Sequence, residues 1–285
     1  MRDAHDVIWL ERQLDRIASH HVDHLALTGD LLDRWSPSLL SRALDVLQSR
    51  AWLHPERLTI LHGNHDLASS GGHPRRGADL WRLVTRFWDP PPLLTWRRRR
   101  FYRAVADRCA PAATGACLVA QPAPFSKTLA GGVRIAVLDT VALPRTPFAL
   151  RHGAITLHHA LGTIARTQTD WLSRQPPGTQ PLVVLMHHLA LGTPGFTWRP
   201  NPSWGVRFPD VHVPMHVDEE DTARFWTAAG EAAVKLVLCG HVHRTQLEWK
   251  SGIAVGVNGQ SGAGRTIAFY TVDTERVTMK VESVD

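Results

Sequence analysis

At 285 residues the chain is long enough for one large domain or two small ones, and 44% hydrophobic with 20% charged residues is globular composition. No run approaches the roughly 18 apolar residues of a membrane helix, the first residues lack a signal-peptide core, and Cys109, Cys117 and Cys239, without a CxxC, indicate neither a disulfide framework nor a thiolate zinc site. A cytoplasmic protein with no transmembrane segment is expected, and a net charge of +6, nearly all from arginine, favours anionic partners.

Val7, Leu10, Leu14 and Ile17 recur at helical spacing and predict an amphipathic helix over 6–20. The apolar run from His24 to Thr28 ends in Gly29-Asp30 and reads as a buried strand. A helix near 37–50 and a strand at 58–61, ending in Gly63-Asn64, come next. The alternation continues with helices near 77–88, 164–174 and 219–229 and strands at 133–138, 182–186 and 234–238. Strands separated by helices imply right-handed crossovers and a largely parallel sheet. Beyond 244, segments 244–249, 252–258, 266–272 and 276–283 read as consecutive antiparallel strands of a second sheet that completes a sandwich.

Residues 89–131 and 192–217 break this rhythm and read as insertions in a single domain spanning 1–285. The first carries Arg97, Arg98, Arg99, Arg100 and Arg103 interleaved with Trp96, Phe101 and Tyr102. Such a run fits a solvated helix face, or a grip on nucleic acid in which arginines take phosphates and rings stack on bases. A lipid head group or a partner protein fits it as well. The second is rich in Pro, Gly and aromatic residues.

Four strand ends finish in metal-binding residue types: Gly29-Asp30-Leu31-Leu32-Asp33, Gly63-Asn64-His65-Asp66, His187-His188 and Gly240-His241-Val242-His243. Carboxyl ends of parallel strands share one edge of a sheet, so these segments converge although they are far apart in sequence. Glycine lets the chain turn sharply off each strand and approach an ion closely. Carboxylate, amide oxygen and imidazole without thiolate suit Mn, Fe, Zn or Co better than Ca.

In these motifs the chain resembles the calcineurin-like metallophosphoesterase family, whose signature runs DxH, GDxxD, GNH[DE], a lone His after a strand, and GHxH. All but the first are present in order from residue 29 to 243, and Gln168-Thr169-Asp170-Trp171-Leu172 is similar to the family's helix before the fourth motif. The resemblance implies a four-layer α/β/β/α sandwich of two mixed sheets flanked by helices. It also implies two divalent metal ions, a phosphodiester or phosphomonoester substrate, and in-line attack by a metal-activated hydroxide. Asp30 is then expected to bridge the metals; Asn64, His187 and His241 to complete the second site; and His243 to serve the first. His65 is expected to protonate the leaving oxygen, with Asp33 holding its tautomer. Asp3-Ala4-His5 stands where the first motif belongs, so Asp3 and His5 are expected as ligands, although the strand that should support them is missing. A nuclease of the same fold and a non-catalytic scaffold with an incomplete first site are the alternatives.

Arg34 is either a phosphate contact or a solvated residue near a helix start. His188 is expected to line the substrate pocket, and His20, His21 and His24 to lie at the surface. His212 and His216, in the second insertion, are candidates to touch substrate.

Overall fold

The helical stripe at the start of the chain does what its spacing demands. In α1 (Arg2–Ala18), Val7, Leu10, Leu14 and Ile17 are buried. The computed structural model describes residues 2–68, 89, 91–109, 118–141, 148–151, 154–157, 161–191, 196–198, 211–213, 216–242, 244–258 and 266–284. Beside α1 lies α2 (Pro37–Ser49), started by Ser36, whose hydroxyl accepts from Leu39 N, and by Pro37 in its first turn. Its Leu39, Leu40, Leu44 and Leu47 join the same core, together with Phe101 and Val105 of α3 (Pro91–Ala106). This helical layer covers β1 (Leu25–Thr28) and β2 (Leu58–Leu61), a parallel pair in register from Leu25↔Leu58 to Thr28↔Leu61.

The larger sheet has six strands in the order β11-β12-β10-β7-β4-β3. They are β3 (Phe125–Thr128), β4 (Arg134–Val137), β7 (Leu182–Met186), β10 (Val234–Cys239), β11 (Thr245–Lys250) and β12 (Ile253–Asn258). Its four inner strands run parallel, with antiparallel β3 and β11 at the edges. One face packs on α4 (Arg166–Ser173) and α5 (Glu219–Glu231) through Leu172, Phe225 and Ala229. Leu61, Val183, Leu185, Leu236 and Ala254 meet Val277 on the other face, where β1, β2 and the hairpin β13 (Thr266–Val272)–β14 (Val277–Ser283) lie. The layers are therefore α/β/β/α, as expected for the motif set.

Three local expectations change. First, the strands beyond residue 244 divide between layers: β11–β12 extends the large sheet, and only β13–β14 joins the smaller layer. Ile253, Ala254, Val255 and Val257 are all buried, as an inner strand with two covered faces requires. Second, the two insertions hold β3 and the short strands β8 (Phe196–Trp198) and β9 (Val211–Val213). These last two pair with β5 (Phe148–Arg151) and β6 (Ala154–Leu157) in the order β5-β6-β9-β8. Three or four residues are too few to display a period. Third, Asp3-Ala4-His5 lies within α1 instead of in a loop leaving a strand. The side chains of Asp3 and His5, and the helix expected near 77–88, lie outside the described residues. Among the described residues no helix is long and apolar enough to cross a membrane.

Candidate metal centre

Strands β1, β2, β7 and β10 deliver their carboxyl ends to one edge, and the chain turns off each of them abruptly. Gly29 adopts φ +98°, Asp30 +53° and His241 +61°. Among the described residues five non-glycine positions have positive φ, and two of them, Asp30 and His241, are predicted ligands at these turns. The glycines make room. A Cβ on Gly63 would lie 2.0 Å from Asp30 Oδ1, and one on Gly29 2.4 Å from His187 Nδ1. No other residue fits those turns.

The donors meet around Asn64. Its Oδ1 lies 2.9 Å from His187 Nε2 and 3.1 Å from His241 Nδ1. Asp30 Oδ2 lies 3.4 Å from His187 Nε2, and Asp30 Oδ1 accepts from His65 N at 3.0 Å. His187 Nδ1 donates to the Thr28 carbonyl at 2.8 Å, which fixes its tautomer and turns Nε2 to the cluster. Although burial disfavours its charge, Asp30 and the Thr28 carbonyl raise the pKa of His187. Burial likewise opposes the charge of Asp30, but the imidazoles of His187, His65 and His241 outweigh it and hold the carboxyl well below its ordinary range.

His188 sits deeper than a pocket lining. It is fully buried, its backbone N donates to Thr140 Oγ1 at 2.9 Å, and its Nδ1 lies 3.0 Å from the same oxygen. One ring nitrogen each of His187, His188 and His241 lies within 4.8 Å of the others. Three imidazoles, a carboxylate and an amide oxygen in one buried cluster fit a divalent transition metal. His65 stands at the rim, its Nδ1 donating to the Asp33 carbonyl at 3.0 Å; the Asp33 carboxylate is 3.9 Å away. The bond comes from the Asp33 main chain and not from the carboxylate that was expected to hold the ring. Arg34 lies exposed on the same loop, and His243 lies outside the described residues.

Several residues that build the site were not anticipated. Asp66 is fully buried and accepts from Leu32 N (2.8 Å), Gly63 N (2.8 Å) and Leu31 N (3.3 Å), tying the turn after β1 to the turn after β2. Burial, reinforced by the charge of Asp30, pushes its pKa up to about 7 against the Gly63 and Leu32 N–H donors. Its signal was the last letter of Gly63-Asn64-His65-Asp66. Asp139-Thr140 follows β4 as the ligands follow their own strands, and was a fifth strand end in plain view. Outside the centre, His24 is not a free surface residue. It bonds the Glu56 carbonyl and Thr59 Oγ1, both at 2.8 Å, and burial lowers its pKa to about 4.

The arginine-rich run also differs from expectation. Arg97 is buried and donates to the Leu67 carbonyl at 2.6 Å and to Asp89 at 2.9 Å. Arg98 pairs with Asp139 at 3.0 Å and donates to the Val141 carbonyl at 2.9 Å. Both are committed to the interior, so of the five arginines considered for nucleic acid only Arg99, Arg100 and Arg103 are exposed.

The profile of the calcineurin-like phosphoesterase family matches residues 6–245. No curated protein matches the chain. Among solved structures, a dimetal phosphatase from Danio rerio is similar at 12% identity and a TM-score of 0.56, over 98% of this chain and 87% of that one. The phosphopantetheinyl hydrolase of Mycobacterium tuberculosis is similar at 12% identity and a TM-score of 0.40, over 83% and 79%. At that identity the Danio rerio protein speaks for the fold alone.

Proposed function

The chain belongs to the calcineurin-like phosphoesterase family, and we propose that it hydrolyses phosphomonoesters or phosphodiesters with two divalent metal ions. The observation that carries this reading is the convergence of Asp30, Asn64, His187 and His241 on one buried point, with His65 beside it. When bound, the ions would polarise the phosphoryl oxygens and lower the pKa of a coordinated water. Asp30, Asn64, His187, His188 and His241 would hold them within the described residues. His65, with Nδ1–H anchored on the Asp33 carbonyl, presents Nε2 for proton transfer to a departing oxygen. A scaffold that only binds partners needs no such oriented imidazole, which favours catalysis over the non-catalytic alternative. The interior use of Arg97 and Arg98 speaks against a nuclease that grips its substrate through this helix.

Elemental analysis after equilibration with Mn or Zn tests the metal, and His65→Ala tests the chemistry. The variant should keep its metal and lose about a hundredfold in turnover of an alkyl phosphoester, but much less on a nitrophenyl ester, whose leaving group needs little protonation. A metal-free folded protein, or equal losses on both esters, overturns the reading.

A further inference from the structure

The arginine-rich helix reaches the turn that carries Asn64 and His65 from both sides. Before the turn, Tyr102 Oη lies 2.7 Å from His62 Nδ1; after it, Arg97 holds the Leu67 carbonyl at 2.6 Å. Between those two anchors lie only Gly63, Asn64, His65 and Asp66. Arg98 then grips the neighbouring strand end: its ion pair with Asp139 and its bond to the Val141 carbonyl flank Thr140, the residue that holds the backbone and ring of His188. The two grips are joined, because His62 Nε2 faces Asp139 Oδ1 at 3.4 Å. Asp139 is pinned further by Gln168, which accepts from its N and donates to its carbonyl, both at 2.8 Å.

Proton roles around His62 are mutually consistent. Burial keeps the Tyr102 phenol neutral, so its O–H is free to donate to Nδ1 while Nε2–H faces the Asp139 carboxylate. Phe101 and Tyr102 enclose the imidazole with edge-on rings, at centroid distances of 6.1 Å and 5.4 Å. Burying such a network costs desolvation, and its members fix one another's geometry through directional contacts.

We propose that Arg97, Arg98 and Tyr102 are positioning residues: one helix brackets the Asn64–His65 turn and the Thr140–His188 contact, and thereby sets the spacing of the metal donors. Arg97 and Arg98, with Tyr102, thus form a brace for the centre, and its link to catalysis rests on the metal-dependent reading given above. The helix holds residues 62, 67, 139 and 141, none of them a predicted ligand, so each of its contacts acts through a neighbour. The dependence of metal affinity on a hydroxyl that touches no ligand is what distinguishes a brace from ordinary core packing.

Two full-length variants separate these roles. Tyr102→Phe removes one oxygen from the bracket and keeps the ring. Val105→Ala, on the same helix and fully buried, removes packing alone. Mn2+ titration followed by electron paramagnetic resonance should show about tenfold weaker binding in Tyr102→Phe, with kcat recovered at saturating metal. Val105→Ala should melt earlier yet bind Mn2+ as the wild type does. Hydrogen exchange of the 62–68 segment in metal-free protein reads the bracket independently of any metal, and should quicken in Tyr102→Phe by several-fold more than in Val105→Ala. Wild-type protein that binds no Mn2+ overturns the metal reading but leaves the exchange comparison decisive for the bracket. Equal exchange in the two variants, or equal loss of Mn2+ affinity, overturns the brace.

Discussion

Asp66→Asn probes the joint between the turns that carry Asp30 and Asn64, and its effect should change with pH. In the wild type Oδ1 accepts from Leu32 N while Oδ2 accepts from Gly63 N and Leu31 N. An asparagine offers one oxygen and one NH2, so either orientation sets a donor against a buried N–H, at about 1–3 kcal/mol. The opposing contribution is the charge itself. Asp66 has its pKa raised from the ordinary 3.8 to about 7, so the folded state holds its proton more tightly than the unfolded chain. Stability from such a group is fully present below about pH 4 and is lost as pH rises through about 7. About three pH units at about 1.4 kcal/mol each set a ceiling of about 4 kcal/mol on that loss. The variant has no proton there to lose. Urea unfolding of metal-free protein should therefore show Asp66→Asn clearly less stable than wild type at about pH 4.5, with the gap closing or reversing by about pH 8. His187 titrates in both proteins, but the Asp66 charge helps to raise its pKa, so the difference between the two curves also carries this coupling. Parallel stability curves across that range would refute the argument.

Two further outcomes follow from the same geometry. A Cβ on Gly162 would lie 2.5 Å from His188 Cβ and 2.6 Å from its Cγ. Gly162→Ala should thus displace the ring from Thr140, lower stability by about 1–3 kcal/mol and weaken metal binding; unchanged unfolding and metal titrations would refute it. Because the pKa of His187 is raised above 6.5, protons compete with metal for Nε2, and affinity should fall as pH drops through that range, with protons released on binding. Titrations at about pH 6 and about pH 8 check this, and His187→Gln should flatten the dependence. Equal wild-type affinity at both values would refute it.

What could be read from the sequence and what could not separate along a physical line. The convergence of Asp30, Asn64, His187 and His241 was legible because they are donor types that suit a metal, and strand ends with glycine tell where the chain can bring them close. The inner strands were legible for a similar reason: Leu182–Met186, and Ile253–Asn258 up to its last residue, are apolar because both faces of the large sheet are covered. The division of the final strands between two layers was not, since β12 owes its place to pairing with Leu236–Cys239, which no local pattern announces.

Arg97 and Arg98 show the limit most sharply. On composition alone, four consecutive arginines describe a solvated or phosphate-gripping surface. Their inward contacts depend on Leu67, 30 residues back from Arg97, and Asp139, 41 residues ahead of Arg98. A guanidinium satisfies itself on any carbonyl or carboxylate within reach, so nothing near the arginine specifies the partner. Ligands are chosen by an ion with fixed requirements, and supports by whatever polar group the fold brings alongside. The ligand set therefore leaves a motif, while Asp66, Thr140, Tyr102 and the two arginines emerge only once the strands and α3 are in place.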